Sequence, residues 1–290
     1  MTFSVVSKMD RPISGTGIGL RHCHIGDVMQ GKPDVPWFEL LADNHLEAGG
    51  PVKKAIESIR QDYPFTFHCV GMSLGGFDPL NLDYLHALKT LMQTLEPIHI
   101  SDHVSFSSVN GRHYHELLPL PYTEESLQHL SQRIQQVQEI LGQRMLVENV
   151  SSYVSYTHST IPEWEFFAAL AEHADCELLL DVNNIYVNSI NHQFDYRDYL
   201  TAIPYQRVRE IHLAGFDDRD TYLLDAHNNR VADAVWTIFN DVMQQAPNIP
   251  ALIEWDNDLP DFSVLQDEAC KAEAIRQQYK QQHLRQVEVA

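Results

Sequence analysis

The sequence predicts an α/β protein, a (β/α)8 or TIM barrel. Three observations carry that prediction. Short apolar runs alternate with longer amphipathic stretches along the 290 residues, the pattern of βα units on a parallel sheet. There are eight such runs, the number that closes a barrel. Most of them end in His, Asp or Glu, at the C-terminal end, where parallel barrels collect their chemistry.

The runs, in order, are GIGL (17–20), WFELLADN (37–44), FHCVG with His68, IHISDH with His103, MLVENV with Glu148, LLLDVNN with Asp181, EIHLAG with His212 and ALIEWDND with Glu254. Between and after them, helices are predicted over 52–62, 83–95, 123–141, 162–174, 195–203, 231–245 and about 261–283. In 123–141, Leu127, Leu130, Ile134, Val137 and Leu141 fall on one helical face. MLVENV and ELLLDV are almost wholly apolar before their acids, as expected for strands covered on both faces. Two long connections, 103–122 and 214–230, follow the fourth and seventh runs, and rim loops of that length carry function. No linker or low-complexity tract divides the chain, so one domain over 1–290 is expected, with its barrel core at about 14–275.

Twenty Lys and Arg stand against 40 Asp and Glu, a formal net charge of −20. Phosphate backbones favour basic faces, so the balance argues against a nucleic-acid partner. The N-terminal twenty residues hold no long apolar core, and no stretch approaches the roughly 18 apolar residues of a membrane span; a cytoplasmic protein is expected. Cys23, Cys69, Cys176 and Cys270 are far apart with no CxxC and read as free thiols.

In a barrel the six polar strand ends ring one space. The DAH triplet adds Asp225 and His227, two residues apart, which an extended segment turns to the same side. Asn184 follows Asp181 by three residues. His68, His103, Glu148, Asp181, Asn184, His212, Asp225, His227 and Glu254 are too many ligands for one ion. Two or three ions sharing a carboxylate would use them, and Glu148, mid-ring, is the expected bridge. Without metal, so many acids and histidines at close quarters are costly. Nitrogen and oxygen donors alone suit iron, manganese or zinc.

Asp102 stands behind His103 as an outer partner. Asn149 is read as a metal or substrate contact, or as a loop hydrogen bond. Asp256 is read as a general base or water holder, or as a cap of the last helix. Asp43, Asn44 and His45 offer substrate contact or a turn. His113 and His115 read as surface, His22 and His24 as first-loop residues without a metal role, and Cys69 as pointing away from His68.

GTGIGLRHCH, ISDHVSFS, HELLPLPYTEE, LVENVSSY, LLLDVNNIYVNS, EIHLAGF and ALIEWDND together resemble the multinuclear non-haem iron-dependent oxidative enzymes. That family was formerly a domain of unknown function, within the xylose-isomerase-like barrels. The resemblance covers about 14–275. It implies two to three irons held by the same nine residues, molecular oxygen as co-substrate, and a ribosomally made precursor peptide whose cysteine, or another residue, is modified. It also implies a small partner protein that presents the peptide. The chemistry implied is oxygen activation at a ferrous ion, with a substrate thiolate on a neighbouring ferric ion and a hydrogen taken next to sulfur. The positions also resemble the three-zinc site of endonuclease-IV-like barrels, except that Asn184 stands where that pattern has histidine. A zinc or manganese hydrolase, phosphoesterase or sugar isomerase is therefore the alternative reading.

Overall fold

Residues on one parallel strand alternate between two environments, and the third strand shows both. Phe65 and Phe67 lie in the core shared with the helices, while the alternating residues Thr66 and His68 are polar and also buried. A strand covered by helices on one side and by its own barrel on the other buries both faces. The computed structural model describes residues 12–47 and 49–289. Eight parallel strands close the barrel: β1 Thr16–Gly19, β2 Phe38–Leu41, β3 Phe65–His68, β4 Ile100–His103, β5 Leu146–Glu148, β6 Glu177–Asp181, β7 Val208–Leu213 and β8 Ala251–Ile253. Each pairs with its sequence neighbour, and β8 closes on β1 through Thr16 opposite Ala251.

The helices are α1 Ile25–Gly31, α2 Pro51–Asp62, α3 Leu82–Leu95, α4 Glu124–Leu141, α5 Glu163–His173, α6 Val182–His192, α7 Tyr196–Ala202, α8 Asp233–Gln245 and α9 Phe262–Val289. On α4 the five expected residues are all buried; Thr123 caps its start by accepting from the Ser126 amide, and left-handed Gly142 ends it. Two helices were not foreseen. α1 is short, and α6 reads VNNIYVNSINH, rich in β-branched and asparagine residues of low helix propensity. Its nucleus is Asp181, whose Oδ1 accepts from the Asn184 amide at 2.6 Å.

The barrel floor is apolar. Trp37 and Leu252 are wholly buried there with Ile13. Gly17 admits the indole, since a Cβ at that position would stand 2.5 Å from Trp37. The long connections sit on the C-terminal rim. The first contains a hairpin, Phe106–Val109 with Arg112–Leu118, and the second a smaller one, Asp217–Asp218 with Leu223–Leu224. Gly215 lets the second fold back, because a Cβ there would lie 2.2 Å from the Asn229 carbonyl oxygen. No helix among the described residues is long and apolar enough to cross a membrane.

Candidate metal centre

Glu148 ends β5 at the centre of the rim. Its register partner across β4 is His103. Glu148 Oε2 lies 3.2 Å from His103 Nε2 and 3.4 Å from His68 Nε2, and Oε1 lies 3.7 Å from His212 Nδ1. Yet Oε2 is buried and hydrogen-bonds to neither imidazole. One ligand group is therefore His68, His103 and Glu148. A second shares Glu148 and adds Asp181, His212 and Glu254. A third shares Glu254 and adds His227 and Asp256. Within each group the donor atoms lie within 4.8 Å of one another.

Glu254 Oε2 stands 2.9 Å from His212 Nδ1 and 3.3 Å from His227 Nδ1. His227 has a left-handed backbone, φ 45°, a conformation that costs about 1–3 kcal/mol in a non-glycine residue. Its carbonyl accepts from the amides of Asp256 and Asn257, which hold it there. Asp225 Oδ1 lies 2.6 Å from His227 Nε2 and accepts from Asn183 Nδ2 at 2.8 Å. Asp225 thus meets the ring through His227, on the ring nitrogen opposite the one that faces Glu254.

Several buried atoms have no protein partner. Besides Glu148 Oε2 they include Asp181 Oδ2 and Asn184 Oδ1. Asp181 divides its carboxylate: one oxygen caps α6, the other is orphaned. Buried polar atoms without partners are costly, and all three are hard acceptors. That chemistry fits divalent or trivalent cations.

Electrostatics point the same way. Burial and neighbouring acids push Glu148 up and Asp181 to about 7. Burial opposes charge on His212 and His227, but the surrounding carboxylates prevail and raise both. On His103 burial is likewise overcome, chiefly by Glu148, giving about 9. His68 goes the other way, lowered by burial and by His103. Metal binding would therefore compete with protons on the raised groups.

The expected second-tier residues divide. Asp102 points out of the barrel, accepts from the Met72 amide at 2.9 Å and lies 3.6 Å from His103 Nδ1. Asn149 does not line the cavity: its Nδ2 donates to the Asp181 carbonyl and its Oδ1 accepts from the Asp181 amide, both at 2.9 Å. It braces the Asp181 backbone. Asp256 lines the cavity, ion-paired to Arg21 and 3.0 Å from His227 Nδ1. Asp43 faces away, accepting from the Val70 amide and the Tyr84 hydroxyl, whereas Asn44, His22 and His115 line the cavity. His113 is exposed, and Cys69 is buried in the outer core.

Three residues went unforeseen. Arg21, nearly buried, joins Asp256 and lies 3.7 Å from Glu254 Oε1. Glu39 and Glu210 are buried inside the barrel beneath the ring, 3.2 and 3.8 Å from His212 Nε2. The available signal was the strand period: Glu39 and Glu210 interrupt apolar runs at inward positions, Glu210 two residues before His212.

Above these groups opens a cavity of about 500 Å³. Comparison with known proteins bears on what it serves. A family model described as RiPP precursor modification enzyme MbnB/TglH/ChrH matches residues 15–277; RiPPs are ribosomally made, post-translationally modified peptides. A UPF0276 protein of Acaryochloris marina is 48% identical over 93% of this chain and 98% of its own. One from Vibrio parahaemolyticus is 39% identical over 90% and 92%. Among solved structures, endonuclease IV of Thermus thermophilus superposes with a TM-score of 0.57 at 13% identity, covering 92% of this chain and 99% of its own. A D-psicose 3-epimerase gives 0.57 at 10%, covering 90% and 97%. These distant likenesses show the barrel fold alone and nothing about the reaction.

Proposed function

The chain belongs to the MbnB/TglH/ChrH family of RiPP precursor modification enzymes, and from that membership we propose that it is a multinuclear non-haem iron enzyme that uses molecular oxygen to oxidise a residue, cysteine by preference, of a precursor peptide. A small partner protein presents that peptide. The observation that carries this reading is the sharing of carboxylates: Glu148 belongs to two ligand groups and Glu254 to two, an arrangement suited to two or three neighbouring ions.

His68, His103, Glu148, Asp181, Asn184, His212, His227 and Glu254 would hold the metal, with Asp225 orienting His227. Bound iron would supply oxygen activation and one-electron redox change. The protein's own groups do the rest. Asp181 and Asn184 are fixed by α6 and by Asn149, so their free oxygens are preorganised. Asp256 reaches toward the mouth, its side chain 37% exposed. Arg21 and His227 keep it ionised, lowering its pKa against burial and Glu254. Placed so, Asp256 takes a proton from a bound substrate group and returns it to solvent.

The experiment is metal analysis with Mössbauer and EPR spectroscopy on protein from iron-replete cells, purified without oxygen. Two to three coupled irons per chain are expected. Stoichiometric zinc that iron does not displace would instead favour a hydrolase or isomerase of the same barrel.

A further inference from the structure

A second pocket, of about 340 Å³, lies beside the metal cavity. The segment after β5 separates the two. Along 151–154 its residues alternate: Ser151 and Tyr153 line the metal cavity, while Ser152 and Val154 line the second pocket. Tyr122, Tyr156, Trp164 and Phe194 supply aromatic walls, with Trp164 and Phe194 centroids 5.2 Å apart.

Among these walls sits one carboxylate, Glu163, in the first turn of α5. Both of its oxygens lie 3.2 Å from Asn188 Nδ2. Asn188 is wholly buried and is itself fixed, donating to the Val150 carbonyl and accepting from the Ser152 amide. Glu163 is thereby locked to the same segment that borders the metal cavity. Tyr199, also wholly buried, turns its hydroxyl toward the same carboxyl. No Lys, Arg or His among the described residues forms an ion pair with Glu163. Burial pushes it up to about 7. A helix N-terminus favours an acid, but a cap needs no aromatic chamber open to solvent.

A carboxylate with lone pairs to spare, walled by aromatic faces, recognises a cation by charge and by cation–π attraction. We propose that this pocket is a subsite for a basic side chain, ammonium or guanidinium, of the peptide whose other residue enters the metal cavity. The proposal rests on the peptide-modifying reading above. The protein's net charge of −20 would also draw a basic segment toward it.

The test uses the intact protein and four probes: N-acetyl-arginine amide, its neutral isostere N-acetyl-citrulline amide, n-butylammonium, and acetyl-Gly-Gly-Lys-Gly-Gly-amide. Binding is read from tryptophan emission, with Trp164→Phe identifying the reporter, and in parallel from NMR line broadening of the probe. The arginine probe should bind saturably and the citrulline probe at least about tenfold more weakly. Glu163→Gln, which preserves shape and the Asn188 contact, should abolish that difference without changing metal content. Equal binding of arginine and citrulline probes by the unaltered protein would overturn the proposal, even if the variant failed to fold. Butylammonium binding as tightly as the lysine peptide would mark a small-amine site and overturn the peptide assignment. Because no turnover is needed, a failed peptide reaction with intact arginine selectivity would sink the function and not the subsite chemistry.

Discussion

Glu39 Oε2 lies 3.2 Å from His212 Nε2, on the side of the imidazole away from Glu254. With a metal on Nδ1, Nε2 would carry the proton and donate a hydrogen bond to Glu39. A carboxylate behind a histidine fixes tautomer and orientation, and its loss commonly costs about 10–100-fold in metal affinity. Glu39→Gln, which leaves a neutral acceptor, should weaken metal binding toward the lower end of that range, and Glu39→Ala further. Competition against a chelator measures it, with circular dichroism as the check on folding. Unaltered affinity in both variants would remove Glu39 from any role in holding His212.

Glu148 and His227 should differ in how many ions they forfeit. Glu148 touches two ligand groups and His227 one, at the far end of the ring. Glu148→Ala and His103→Ala should therefore lose iron and activity, with Glu148→Ala retaining the least metal. His227→Ala should lose about one ion, leaving the group around His68 and His103. Full metal content in Glu148→Ala would refute its role as bridge.

Asp256→Asn keeps volume and removes the charge facing Arg21 and His227. Metal near Glu148 should remain, while turnover falls by roughly 10²-fold, the usual scale of proton transfer by a positioned group. An unchanged rate with unchanged metal would make Asp256 a partner of Arg21 only.

The pH dependence should reverse between apo and loaded protein. On His103 burial disfavours the charged ring, and Glu148 with Asp102 overcomes it, lifting the pKa from 6.5 to about 9. A raised histidine stabilises the fold fully below about 6.5, and that contribution disappears as pH rises through about 9. Apo protein should therefore lose stability over that window. Metal binding must displace the protons on His103, His212 and His227, so affinity should climb over the same window. Denaturant melts of both forms from pH 6 to about 9.5 would show parallel slopes if these histidines were not the ligands.

Gly17→Ala would place a methyl 2.5 Å from the Trp37 ring on the barrel floor. Overpacking of this kind costs about 1–3 kcal/mol. The loss should appear as a lower urea midpoint with little change in metal content, because the floor lies at the opposite end of the strands from the ligands.

The barrel was readable from local pattern because each of its strands is short, apolar and followed by a helix, and both periods are written in the chain. His68, His103, Glu148, Asp181, His212 and Glu254 were readable for the same reason: a parallel barrel sends every C-terminal strand end to one rim. α6 was not, since its weak propensities are overridden by the Asp181 cap and by packing. Glu39 and Glu210 leave a trace in the strand period, as acids within apolar runs, but only closure puts them under His212. The placing of Asn149 on the Asp181 backbone and the pairing of Arg21 with Asp256 depend on residues far apart in sequence. Those relationships exist only once eight strands close at a fixed register. Residue type and period set which elements form, whereas the direction of each polar atom is fixed by neighbours that arrive from elsewhere in the chain.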